Sequence, residues 1–132
     1  MKVASKILAL CVIIVTLCGL SGEFEIKVLQ QGHNSPLFEF GSRNLLSSRE
    51  GVEINNFVVV TRNQSGNWDY ASPVWAFGLA PGSSKPLSEV VYAHVPDGFN
   101  ETTKASELVP GVHYMAVGLS PGMGGSAEFI AN

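Results

Sequence analysis

Three histidines, His33, His94 and His113, are the whole imidazole supply of the chain. His94 and His113 fall on expected strands that could neighbour each other, where a carboxylate would complete a metal site or an acid–base pair. No His-x-His or His-Glu-x-x-His spacing accompanies them, and both cysteines, Cys11 and Cys18, lie near the N-terminus. A small hydrolase or metal-dependent enzyme using His94 and His113 is therefore the alternative reading; half-exposed strand histidines are the favoured one. Gly118-Leu119-Ser120-Pro121-Gly122 matches Gly-x-Ser-x-Gly, the nucleophile elbow of α/β-hydrolases. The residue after such a serine must donate its backbone N–H to an oxyanion, and Pro121 has none. The elbow also needs a following helix and a later histidine. Here Gly124-Gly125 and an alternating run follow, with Glu128 and no histidine. The segment reads as a hairpin loop.

Asp69 and Asp97 are the only aspartates, each among turn residues, so no oxygen-rich calcium loop is encoded. A glycosidase needs two carboxylates facing each other across a cleft, and a domain this small has no room for a deep one. Asn63-Gln64-Ser65 and Asn100-Glu101-Thr102 have the acceptor spacing for N-glycosylation but read as turn chemistry. No catalytic residue, metal or cofactor is assigned.

The aromatic residues offer more. Trp68 and Tyr70 follow the Gly66-Asn67 turn at i and i+2, which puts them on one face of an extended chain. Phe99 follows the Asp97-Gly98 turn. Trp68, Tyr70 and Phe99 are thus the candidate ligand-binding residues, a platform for a protein or carbohydrate partner. The competing role for Trp68 and Tyr70 is to cap the end of the fold.

The elements that must position these residues are strands. Beyond Glu23 apolar residues alternate with polar ones, punctuated by Gly, Pro and Asn, with no convincing helical period. Phe24–Val28, Leu37–Phe40, Val52–Thr61, Val74–Phe77, Leu87–Val95, His113–Leu119 and Ser126–Ala131 are the expected strands. Phe57–Val60 has the continuous apolar character of a strand buried on both faces. Ser42–Gly51 and Asn100–Leu108 depart from alternation; each could hold a helical turn, the second capped by Asn100, but at about nine residues neither is a stable helix alone. About seven strands separated by turn signals imply an all-β antiparallel sandwich, one domain over residues 23–132.

Residues 1–22 read as an address. Lys2 and Lys6 precede an apolar run from Ile7, and small residues lead to the first acid, Glu23. As a helix, Ile7–Leu20 would span about 21 Å, short of the ~30 Å of a bilayer core. Cleavage after Ser21 would place Gly19 and Ser21 at the −3 and −1 positions. A retained anchor and lipidation of Cys18 are the alternatives, although Leu17 departs from the small residue that precedes an acylated cysteine. Either would supply the only membrane attachment. Export to the periplasm or exterior follows, with a mature chain free of cysteine that must rely on its core.

Charged residues make up only 14% of the chain, against about a quarter in typical domains, so its surface is weakly charged. Eight basic residues against eleven acidic give a net charge of −3, which leaves no electrostatic footprint for nucleic acid.

Leu108-Val109-Pro110-Gly111-Val112-His113-Tyr114, leading into an alternating strand, resembles the E-to-F corner of fibronectin type III and immunoglobulin-like domains. In that family the tyrosine hydroxyl bonds back to upstream backbone. The resemblance implies structural roles for Leu108, Pro110 and Tyr114. It also makes Trp75 and Tyr92 similar in order to a core Trp–Tyr pair on successive strands. The segment from Tyr92 to Tyr114 also looks like short, uncharacterised bacterial exported proteins, which implies a bacterial source. Together these readings describe an exported, non-catalytic binding or assembly module. A structural subunit of an envelope or surface assembly is a further alternative, for which the Val58–Val60 run would offer a shared strand.

Overall fold

The computed structural model describes residues 22–30, 35–42 and 51–132. The expected signal segment through Ser21, with Cys18, and also His33 and most of the Ser42–Gly51 stretch lie outside the described residues. Among the described residues there are ten strands and no helix. They are β1 (Gly22–Leu29), β2 (Leu37–Ser42), β3 (Val52–Ile54), β4 (Asn56–Thr61) and β5 (Trp75–Gly78), then β6 (Lys85–Leu87), β7 (Glu89–Val91), β8 (Asn100–Thr103), β9 (His113–Ser120) and β10 (Met123–Ile130). One antiparallel sheet runs β10-β9-β4-β5-β8, a second β7-β2-β1, and β3 pairs with β6 in a third. A short parallel contact of Gly22 and Glu23 with Met123 and Gly124 joins the first two sheets along one side.

Alternation decides which side chains go inward. On β9, Tyr114, Ala116, Gly118 and Ser120 are buried, while His113 and Leu119 are exposed. On β2, Phe38 and Phe40 are buried and Glu39 is not. Phe57, Val59 and Val60 of β4 are all fully buried, as the apolar run predicts for a central strand between β5 and β9. Rings fill the space between the sheets. Phe38 of β2 lies 5.2 Å from Phe57 of β4 and 5.5 Å from Phe129 of β10, so the second sheet packs against the first. Trp75 contacts Phe57, Phe77 and Tyr92 with centroids 5.9, 5.1 and 5.1 Å away. Such tilted and edge-on pairs add about 0.5–1.5 kcal/mol each beyond the area they bury. The architecture is all-β and compatible with a sandwich.

Three expectations need correction. The run Val52–Thr61 kinks at Asn55, so its first half pairs with β6 and its second with β5 and β9. Asn55 holds the kink: its backbone N–H donates to Leu119 O at 2.7 Å, and its Nδ2 donates to Ala80 O and Ser83 O at 3.1 and 2.6 Å. The strand expected over Leu87–Val95 breaks at Ser88 and ends at Val91, where Ala93 turns the chain with φ at 74°. The Asn100–Leu108 stretch, which could have held a helical turn, opens instead with an edge strand, β8, because pairing with β5 supplies backbone partners that a nine-residue helix could not secure alone. Two kinked runs and this extra strand raise the count from seven to ten.

Candidate functional site

The Asn63-Gln64-Ser65-Gly66-Asn67 segment closes a tight loop after β4. Asn63 N–H donates to Asn67 O, Gly66 N–H donates to Asn63 O, and Asn63 Oδ1 accepts from the N–H groups of Ser65 and Asn67. Asn63 thus serves the turn through both backbone and side chain. The closed loop sets Arg62 opposite Trp68 as a bridged pair. The Arg62 guanidinium sits 4.2 Å from the centre of the Trp68 ring, and its Nη1 donates to Gly66 O at 2.7 Å. Trp68 is half-buried and carries this cation on its face, while Tyr70 is 55% exposed.

Phe99 does not join them. It is only 8% exposed and lies edge-on to Phe77 at 5.2 Å within the core, so its place in an exposed platform is corrected. The Phe99 N–H donates to Pro96 O, and the Pro96-Asp97-Gly98 turn delivers the ring inward to cover Phe77. The sequence showed the turn and not the direction in which the chain left it.

Beside Arg62 an open cleft of about 480 Å³ is lined by Thr61, Arg62, Val112, His113 and Glu128. A second of about 350 Å³ adjoins it, lined by His113, Glu128, Phe129 and Ile130. Strand register explains the gathering. Thr61 pairs with Tyr114, and His113 pairs with Ile130. Tyr114 and Phe129 point inward, so His113, Glu128 and Ile130 project from the opposite face, and Arg62 follows Thr61 onto it. Trp68, Arg62, His113 and Ile130 therefore form a row across the end of the outer face. The Thr61 hydroxyl donates to His113 O at 3.1 Å and holds the row together. On the other sheet, Glu25, Lys27, Glu39 and Glu89 line a further groove of about 390 Å³.

The remaining sequence candidates fall elsewhere. β7 and β9 are not neighbours in the sheet order, which corrects the expectation for His94 and His113; His94 is exposed in the turn after β7. Among the described residues no group of three or more metal-ligating side chains forms. Ser120 ends β9 and pairs with Met123 across the Pro121-Gly122 turn. Pro121 presets one dihedral and Gly122 adopts φ of 77°, the combination a tight turn with a second left-handed residue requires. The Ser120 side chain is buried, and its hydroxyl has no hydrogen-bond partner among the described residues.

Leu108 is buried, Pro110 is exposed in the turn before β9, and the Val109 N–H donates to Tyr114 Oη at 2.9 Å. The Tyr114 ring stacks on Phe129. Trp75 is fully buried and its Nε1–H donates to Glu101 Oε2 at 3.0 Å. Tyr92 donates its hydroxyl proton to Ser106 O at 2.6 Å. Burial raises the Tyr92 phenol well above its ordinary 10.0, nearby Tyr114 adds to the shift, and the Ser106 bond opposes it.

Trp68 and His113 stand out in the sequence, whereas Arg62, Val112 and Glu128 do not; Tyr70 lines neither cleft. One signal was available: Arg62 and Trp68 flank the Asn63–Asn67 loop symmetrically, which is the register of a closed hairpin. The chain matches no family model, and neither curated proteins nor solved structures gave a match.

Proposed function

We propose that the chain is an exported, non-catalytic domain of immunoglobulin or fibronectin type III kind that acts as a binding or assembly module. The observation that carries this reading is the division of labour between the faces. Interlocking rings occupy the space between the sheets, while Trp68, Arg62, His113 and Ile130 form one row on an open outer face. A rigid core with recognition groups at its periphery is the arrangement such folds use for binding. The family assignment is supported by the Val109–Tyr114 hydrogen bond five residues upstream of the tyrosine and by the Trp75–Tyr92 contact. Export is supported by the signal pattern of residues 1–22.

Site-specific cross-linking in the native host tests the module. A photo-reactive residue at Tyr70 or Ile130 should yield one discrete adduct, while one at Glu39, on the outer face of the other sheet, should not. Adducts of equal yield at all three positions, or none at any, would sink the reading. Intact mass of the recovered protein tests export. A chain starting at Gly22 supports it, retention of Met1–Leu20 in a cytoplasmic fraction refutes it, and a lipid mass on Cys18 would establish the anchored form.

A further inference from the structure

We infer that the Arg62–His113–Glu128 cleft takes an acidic, extended segment of a partner polypeptide, with Arg62 receiving a carboxylate and Val112 and Ile130 receiving a neighbouring aliphatic side chain. This assignment rests on the reading of the domain as a binding module and names the chemistry of its partner.

The Arg62 guanidinium is held from two directions, by the face of Trp68 and by the Gly66 carbonyl, so little freedom remains to be lost when it binds. Among the described residues Arg62 forms no ion pair; its contacts are that ring and that carbonyl. Of the five N–H donors of a guanidinium, one is used here, and the others suit the planar fork of a carboxylate. A restrained arginine with spare donors at the mouth of a cleft suits recognition of an anion, because less freedom is lost on binding.

Glu128 belongs to the same cleft but stands two residue pairs along and two strands across from Arg62, beyond His113. Strands about 4.8 Å apart keep these two charges from meeting directly. A single guanidinium beside an acid suits a monoanionic carboxylate better than a phosphate, which calls for more positive charge.

The apolar neighbours decide between polypeptide and acidic sugar. Val112 lines the cleft, and Ile130, 50% exposed, lines its continuation. The turn that carries Val112 is tied to the end of β10 by Gly111 N–H to Ala131 O and Ala131 N–H to Val112 O. Exposed Val109 begins the same turn. These side chains call for aliphatic partners. The ring face that a sugar would stack on is instead covered by Arg62. Residues at i and i+2 of an extended peptide share a face, which lets an acid reach Arg62 while an aliphatic residue reaches Ile130.

The test uses the purified full chain and a fluorescein-labelled peptide repeating Glu-Ser-Leu-Ser, with Lys-Ser-Leu-Ser and an oligogalacturonate as comparisons. Anisotropy should show binding of the Glu peptide alone. Arg62→Gln should weaken it about tenfold or more, the loss expected of a charge-assisted pair, and Arg62→Lys should fall between. Glu128→Gln should tighten it several-fold by removing a like charge, a gain that misfolding cannot produce. Equal binding of the Lys peptide, an unchanged affinity in Arg62→Gln, or no tightening in Glu128→Gln overturns the assignment. Binding of the oligogalacturonate in place of the peptide transfers the site to acidic sugars and also overturns it. If no probe binds while cross-linking at Tyr70 or Ile130 still captures a discrete adduct, this partner chemistry is wrong and the module reading stands.

Discussion

At the residue scale, the same side-chain type does opposite work depending on where its strand or turn delivers it. Trp68 and Phe99 both follow glycine-containing turns, yet the first remains half-buried under Arg62 and the second completes the core. Trp68→Ala should lower stability by about 1 kcal/mol, the scale of a partly exposed cation–π contact with some packing. Phe99→Ala should cost about 3–5 kcal/mol, because it opens a cavity against Phe77. Urea melts of the two variants check the contrast, and equal losses would refute it. Tyr114 separates ring from hydroxyl in the same way. Tyr114→Phe should cost about 1 kcal/mol for the bond from Val109, and Tyr114→Ala about 3–5 for the ring stacked on Phe129. Near-zero losses in both would mean that this tyrosine fixes nothing.

At the element scale, the join between the two large sheets depends on close approach. β1 meets β10 through Gly22 and Glu23 and then turns away to pair with β2. At Gly125 an added methyl group would fall 2.6 Å from the Phe24 carbonyl oxygen and 2.7 Å from its ring. Backbone cannot yield there as a flexible side chain would. Gly125→Ala should therefore destabilise the domain by about 1–3 kcal/mol, the usual cost of overpacking. Hydrogen exchange should rise first in residues 22–24 and 123–125, and uniform acceleration across all strands would show instead that the join is not a separate weak point. The kink at Asn55 follows the same logic: one strand serves two sheets because a side-chain amide takes over backbone partners from the 79–84 loop.

At the scale of the whole molecule, Tyr92 couples core integrity to alkaline pH. Its phenol is raised in the folded state above the 10.0 of an unfolded chain, chiefly by burial. Above that value the unfolded chain releases its proton while the fold retains it. The unfolded state then holds fewer protons than the folded state, so stability must fall as pH rises past about 10. Denaturant melts between pH 8 and 11.5 should show this decline, and Tyr92→Phe should flatten it while lowering stability at neutral pH through loss of the Ser106 bond. An identical alkaline slope in the two proteins would acquit Tyr92.

Period-two alternation, read with the glycine and proline stops, already determined an all-β chain, the shared face of Phe24, Ile26 and Val28 on β1, and the hairpin at Pro121-Gly122. These are local properties, since a side chain's face follows from its parity and a turn from the dihedrals its residues allow. The bond between Val109 and Tyr114 was implied by the resemblance of Leu108–Tyr114 to a fibronectin type III corner, and its partners lie only five residues apart. Strand kinks at Asn55 and Ser88, the edge pairing that makes β8 a strand, and the inward path of Phe99 were decided by partners distant in the chain. So was the outer row, where Arg62, His113 and Ile130 meet only because β4, β9 and β10 adopt one register. Register is set by how whole strands bury their faces against each other, and no short window of sequence contains that sum.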